Sequence, residues 1–291
     1  MFITMTLAAL VVLQATIPSL ESRFAGIAAG ARGKVGAAVM LLETAETAAL
    51  NADERYPMQS VYKLPIGMAV LQRIDKGELT LLQRVSVVPS DFVSAGQYSP
   101  IRDQFPKGTQ LTIRQLLELT LAQSDGTGSD VLLRLAGGPD GVMRFLQSIA
   151  VADVQVVTTE KAMGLGDQSV QYRNWATPRG MLGLLQAVHQ GRGLSPASRA
   201  LLLRWMTQVT RGEGRIKGKL PPGTVAARRT GSSGTHAGLT AATNDTGIVT
   251  LPDGRHMAIA VFVSDSRADN AARERVIAEI SRAAWNRWTV K

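Results

Sequence analysis

The chain has 291 residues, enough for one large domain or two lobes sharing a core, and its 45% apolar content is that of a globular protein. Lysine and arginine total 32 against 23 acidic residues, a net charge of +9, yet the charges are scattered and no basic run is interleaved with aromatics, so nucleic acid is not an expected partner. There is no cysteine, which excludes thiol chemistry, disulfides and cysteine-based zinc sites.

The opening stretch, MFITMTLAALVVLQATIPSL, carries an apolar run from Leu7 to Leu13 and no charge before Glu21, the pattern of the apolar segment of a secretory signal. Residues 1–15 are therefore expected to be a signal peptide and the protein to be periplasmic or secreted, with a first buried helix or strand as the alternative. No later stretch is apolar over the ~18 residues a membrane span needs. From Glu21 to Arg32 the spacing of Leu20, Phe24, Ile27 and Ala28 predicts a helix, and after Gly30 and Gly33 the stretch VGAAVMLLET at 35–44 predicts a buried strand.

QSVYKLPIGM at 59–68 comes next, with helical character from Tyr62 to Ile74. Ser60 and Lys63 lie one turn apart and so share a face, and Pro65 fits only the first turn of a helix, which puts its start near Ser60. A lysine among apolar residues is rare without a task or a partner. A neutral amine beside a hydroxyl can accept its proton, and the free N–H groups of a helix N-terminus favour negative charge on the oxygen. Taken alone, the pair reads equally well as a surface serine and a snorkelling lysine.

TIRQLLELTLAQSD, starting at Thr112, has the spacing of another helix, and helical patterns continue in VLLRLAG, GVMRFLQSIA, RGMLGLLQAVHQ and ASRALLLRWMTQV. After residue 222 the character changes. GTVAARRTGSSGTH, LTAATNDTGIVTLP and HMAIAVFVSDS predict three strands, the last two joined by a Pro252-Asp253-Gly254 turn, and a final helix runs from Asn270 to Trp288. The expected fold class is α+β: an antiparallel sheet with flanking helices built from both chain ends, 16–57 and 208–291, and an all-helical lobe, 58–207, inserted between them. The active site is expected in the cleft between the lobes.

Three motifs stand in order along this scaffold: S-x-x-K at Ser60 and Lys63, S-D at Ser124 and Asp125, and a basic-T-G strand at Arg229, Thr230 and Gly231. By that triple the chain resembles the class A serine β-lactamases from about Ser19 to Trp288, and Q-Y-x-N-W at 171–175 looks like an extended-spectrum subgroup. The resemblance implies that Ser60 is the nucleophile, Lys63 its proton-relay partner, and Ser124 the hydroxyl that passes a proton to the departing lactam nitrogen. It implies Glu160, on the loop before Thr177-Pro178, as the deacylating base; a solvated loop carboxylate is the alternative. Tyr98 would line the cleft mouth, Arg229, Thr230, Gly231 and Ser232 the substrate wall, and the N–H groups of Ser60 and Ser232 the oxyanion hole. Arg215 would reach the substrate carboxylate, unless it is a surface arginine. The resemblance further implies a small-molecule β-lactam substrate, no cofactor, no metal and a monomer.

Four positions depart from the common pattern. Gly126 replaces the asparagine of S-D-N, Arg229 the lysine of K-T-G, and Gly164 an asparagine that usually helps the glutamate hold water. Asp130 stands where an asparagine commonly supports the loop, so a different loop conformation is expected around Glu160, and Gly164→Asn is expected to speed deacylation if the loop accepts the side chain. His189, His236 and His256 are widely separated with no H-x-x-x-H spacing, so a zinc hydrolase is not expected; His236 is placed on the surface, with the cleft rim as the alternative. Two other functions fit the motifs. A D,D-peptidase or penicillin-binding protein shares all three but deacylates β-lactams poorly, and Glu160 discriminates against it. A catalytically silent β-lactam or cell-wall binding module would follow if the altered loop could not hold water.

Overall fold

The computed structural model describes residues 18–289; the expected signal peptide lies outside them. Helix α1 (Leu20–Ala28) is capped by the Ser19 hydroxyl, which accepts the Ser22 N–H. Strands β1 (Lys34–Leu41) and β2 (Glu46–Leu50) follow as an antiparallel hairpin, then the two-residue β3 (Tyr56–Pro57). The sequence reading expected only β1. ETAAL, the segment of β2, is too alanine-rich to signal a strand, and it forms one because it is an edge strand templated by β1.

The middle of the chain is helical, with short strands between: α2 (Lys63–Asp75), β4 (Arg84–Val87), α3 (Pro100–Gln104), β5 (Thr109–Thr112), α4 (Ile113–Leu121), α5 (Gly126–Leu135) and α6 (Gly138–Ser148). It continues through β6 (Val154–Gln155), α7 (Glu160–Met163), β7 (Trp175–Ala176), α8 (Pro178–Gln190) and α9 (Pro196–Thr207). Helix α2 is buried all round from Lys63 to Leu71, which makes it the axis of the block and explains why its apolar residues show no solvent-facing stripe.

The chain closes with β8 (Ala226–Ser232), β9 (Thr235–His236), β10 (Leu239–Thr250), β11 (His256–Ser266) and α10 (Asn270–Thr289). The antiparallel sheet runs β2-β1-β11-β10-β8, with β9 added to β10, so both chain ends build it. Period-two alternation divides β11 cleanly. Met257, Ile259, Val261 and Val263 pack with Phe24, Ile277 and Trp285 of α1 and α10, whereas Ala258, Ala260 and Phe262 face Tyr56, Met181 and Leu185 on the helical side. With both faces covered, β10 and β11 are buried along almost their whole length, and β11 reads as a nearly unbroken apolar run from Met257 to Val263.

Candidate active site

The cleft opens where the start of α2, the α4–α5 turn and the edge strand β8 converge. Residues Gln59–Tyr62 form one 3-10 turn and the α-helix proper begins at Lys63, so Ser60 lies just before it. The two serines that meet here sit beside or within strained backbone: Gln59 has φ 48° and Ser124 φ 72°, left-handed values uncommon outside glycine. These kinks bring the hydroxyls together. Ser60 Oγ lies 3.0 Å from Lys63 Nζ and accepts from Ser124 Oγ at 2.9 Å.

Lys63 is 1% exposed, and its amine also reaches Ser124 O at 3.0 Å, Ser124 Oγ at 3.4 Å and Glu160 Oε2 at 3.1 Å. A protonated amine spends all three N–H groups on Ser60, Ser124 O and Glu160; a neutral one keeps the last two and turns its lone pair to Ser60. Burial pulls the Lys63 pKa below its ordinary value, Glu160 pushes it back up, and the Arg229 charge adds to the lowering. Arg229 stands behind the serines. Its Nη2 donates to Ser124 Oγ at 2.7 Å, its Nε to Ser60 O at 3.0 Å and its Nη1 to Leu121 O at 3.3 Å, and although burial lowers its pKa to about 10 it stays charged at neutral pH. A lysine could not make all three bonds in a plane, so the guanidinium is a structural fit to this position.

Glu160 reaches the cleft from α7. Its carboxylate accepts the Tyr62 hydroxyl at 2.8 Å as well as Lys63, while its backbone N–H and that of Lys161 donate to the two oxygens of Asp130 at 2.7 and 2.9 Å. Asp130 thus offers two acceptors to this loop where an asparagine would offer one acceptor and one donor. The other two departures belong to the same unit. A Cβ on Gly126 would lie 2.9 Å from Glu160 Cγ, so the missing side chain is the space the glutamate occupies. A Cβ on Gly164 would overlap the Gln97 amide, whose nitrogen donates to Glu160 O and whose oxygen accepts from Ser94 N at 3.1 Å. The condition on Gly164→Asn, that the loop accept the side chain, therefore requires the Gln97 amide to move, since it already fills that space.

The cleft has a volume of about 790 Å³. Ser60, Lys63, Tyr98, Ser124, Glu160, Arg215, Thr230 and Ser232 all line it; Arg229 and Gly231 do not. Gly231 lies one layer behind, where any Cβ would strike Met58 O, so it lets β8 approach the backbone that leads into Ser60. Arg215 is 5% exposed, which rules out a surface arginine. Its Nε pairs with Glu274 at 3.1 Å, its Nη1 donates to Gly231 O and Asn244 O, and its Nη2 donates to Ser232 Oγ at 2.7 Å. His236 lies on the rim and lines the cleft. Sequence reasoning missed Tyr62, Gln97 and Arg211. Arg211 also lines the cleft, with its guanidinium carbon 3.7 Å above the Tyr98 ring, and nothing in the local sequence signals a partner 113 positions away.

Residues 19–288 match a family described as the Beta-lactamase enzyme family. The chain is 40% identical over 255 residues to the β-lactamase VEB-1 of Pseudomonas aeruginosa, covering 87% of this chain and 85% of that one. It is 40% identical over 270 residues to the extended-spectrum β-lactamase PER-1 of the same organism, covering 92% and 87%. Among solved structures, a β-lactamase from Chitinophaga pinensis DSM 2588 superposes with TM-score 0.89 at 44% identity over 92% of this chain and 98% of that one. The TLA-1 extended-spectrum β-lactamase gives 0.88 at 39% identity over 92% and 97%.

Proposed function

The chain belongs to the class A serine β-lactamases, hydrolases that open the β-lactam amide and confer β-lactam resistance, and from that premise we propose that Ser60, Lys63, Ser124 and Glu160 carry the reaction. The observation that carries this reading is the contact chain Ser124 Oγ to Ser60 Oγ to Lys63 Nζ to Glu160 Oε2, each link between 2.9 and 3.1 Å.

In acylation, Ser60 Oγ forms a bond to the lactam carbonyl carbon while its proton passes to the Lys63 amine, which starts neutral and holds it for the next transfer. The N–H groups of Ser60 and Ser232 receive the oxyanion. The C–N bond then breaks, the Ser124 proton goes to the departing nitrogen, and Lys63, 3.4 Å from Ser124 Oγ, restores it. Arg229 supports this transfer by donating to Ser124 Oγ, so that the one hydroxyl proton of Ser124 is directed at the reacting atoms. In deacylation, Glu160 takes a proton from a water that attacks the ester, and Ser60 leaves with its proton regained.

The substrate carboxylate is placed at Thr230 and Ser232. Because Ser232 Oγ already accepts from Arg215, its own proton points outward as a donor, and the Arg215 charge strengthens that bond. Arg215 therefore acts chiefly through Ser232. We further propose that the protein is exported, which the apolar run at Leu7–Leu13 supports, and that it works as a monomer. Among the described residues no helix is long and apolar enough to cross a membrane.

The test is intact-protein mass spectrometry during turnover of a chromogenic cephalosporin. Wild type should show a transient adduct mapping to Ser60, and Ser60→Gly should lose both adduct and hydrolysis while keeping its fold. An adduct on any other residue overturns the assignment.

A further inference from the structure

Glu43, His189 and His256 come from three distant parts of the chain and meet at one surface point. Glu43 lies in the turn between β1 and β2, His256 opens β11, and His189 stands in the last turn of α8. One donor atom from each lies within 4.8 Å of the others, and the imidazole centroids are 4.9 Å apart. We propose that these three side chains bind one divalent transition-metal ion, with Zn²⁺ the best fit, and that the ion ties the helical block to the sheet.

Two imidazoles and a carboxylate are a ligand set that borderline metals favour over hard cations, which prefer oxygen alone. In a tetrahedral zinc site, bonds of about 2.0–2.1 Å put neighbouring donor atoms roughly 3.4 Å apart, so the side chains need to close by about 1 Å or a little more. They are free to do so. The Glu43 and His256 side chains are 33% and 35% exposed, and their motion disturbs no core packing. Glu43 is already held at the site: its carboxylate accepts the His256 backbone N–H at 3.0 Å and lies 2.8 Å from His256 Nδ1, so two of the three donors stand together. A nearby cation, Arg199, is held by a 2.8 Å bond from Nε to Val188 O. The Glu43 carboxylate offsets its charge.

The site is remote from the cleft. Ser232 pairs with Thr243, which pairs with Val263, seven residues along β11 from His256 and therefore about 24 Å away at ~3.4 Å per residue. Metal binding should then stabilise the fold and leave hydrolysis alone. His189 is contributed by the helical block and Glu43 and His256 by the sheet, so the ion would cross-link elements far apart in sequence.

The experiment is calorimetric titration of untagged protein with Zn²⁺, alongside thermal melts and cephalosporin hydrolysis. Wild type should bind one ion per chain, and its melting temperature should rise by about 5 °C or more once Zn²⁺ reaches ~100 times the Kd. His189→Ala and Glu43→Gln should weaken binding by about tenfold to a hundredfold or more, with hydrolysis and metal-free circular dichroism unchanged. His236→Ala should bind as wild type does. No saturable binding by wild type, equal binding by wild type and His189→Ala, or binding lost in His236→Ala and kept in His189→Ala would each overturn the proposal.

Discussion

Tyr62 lies fully buried between Ser129, whose hydroxyl donates to its oxygen at 3.2 Å, and Glu160, to which it donates at 2.8 Å. Burial, reinforced by the Glu160 and Asp130 charges, raises its pKa well above the ordinary phenol value, so it stays a donor at every working pH. That matters because the other donor to Glu160, Lys63, changes protonation during the proposed cycle. Tyr62 is thus a positioning residue: it fixes the carboxylate while the lysine proton moves. Tyr62→Phe keeps the ring in the core and deletes this bond. Hydrogen bonds to charged groups contribute about 1.5–3 kcal/mol, so deacylation should slow by roughly tenfold or more while acylation changes little. Stopped-flow traces would show a stoichiometric burst followed by slow turnover, and mass spectrometry would show the acyl-enzyme accumulating. Turnover without a burst, at the wild-type rate, would remove Tyr62 from the mechanism. Sequence spacing pairs Ser60 with Lys63 because they are one turn apart. It could not pair Tyr62 with Glu160, 98 positions on, and a tyrosine in SVYKLP reads only as core.

Helix α7 is four residues long, far too short to be stable by itself, and it exists because neighbouring groups satisfy its N-terminus. The Thr159 hydroxyl accepts the Ala162 N–H at 3.0 Å, Asp130 accepts those of Glu160 and Lys161, and Gln97 holds Glu160 O. The sequence made the unusual residues at 126, 130 and 164 visible as departures. It could not reveal that they compensate one another, since that depends on Gln97 and on the path of the Glu160 side chain. Burial raises the Asp130 pKa to about 6, the Glu160 charge adds to this, and the two N–H bonds and Lys63 work against it. As pH falls through about 6 the carboxylate protonates in the folded state, one acceptor becomes a donor, and deacylation should fall with it. The stability sign is opposite. The folded chain binds this proton more tightly than the unfolded one, so the Asp130 contribution is greatest at low pH and is lost as pH rises from 3.8 to about 6, on the order of 3 kcal/mol. Asp130→Asn should remove that component of the stability profile, measured by urea unfolding at pH 5 and 7, and displace the acidic limb of the deacylation rate. A limb unmoved in the variant belongs to another group. Gly164→Asn, which must expel the Gln97 amide, should slow deacylation, and an accelerated variant would mean that Gln97 is dispensable.

The whole molecule places its cleft between a helical block and a sheet edge, and Arg211 and Tyr98 span the mouth. Tyr98 comes from the helical side. Arg211 comes from the segment entering the sheet, where buried Arg228 holds the backbone by donating to Arg211 O at 2.8 Å, Gly212 O at 3.1 Å and Val209 O at 3.1 Å, while pairing with the fully buried Asp245 at 3.2 Å. The backbone on the arginine side is therefore firm, and opening the mouth is a matter of side chains. A guanidinium over an exposed ring is worth about 0.5–1 kcal/mol, close to thermal energy, so the clasp opens readily and does not bar entry. The overall architecture was legible from strand and helix patterns, but this bridge was not, because each partner alone is an ordinary surface side chain. Its charge has a second effect. Arg211 is the exposed cation at an entrance leading to buried Arg215 and Arg229, on a chain of net charge +9, and an anionic lactam approaching the cleft meets it first. Arg211→Ala should lower kcat/KM for anionic substrates by several-fold at low ionic strength, with most of the loss gone at high salt, because exposed charges are screened over about 8–10 Å under ordinary buffer conditions. Arg211→Lys keeps the charge without the planar stack, so it should retain the salt dependence, whereas Tyr98→Ala should retain the charge effect and relax discrimination between small and bulky lactam side chains. Steady-state kinetics on a small penicillin and a bulky cephalosporin, each at low and high salt, separate the two contributions. If Arg211→Ala leaves kcat/KM unchanged at low salt, the clasp plays no part in substrate capture.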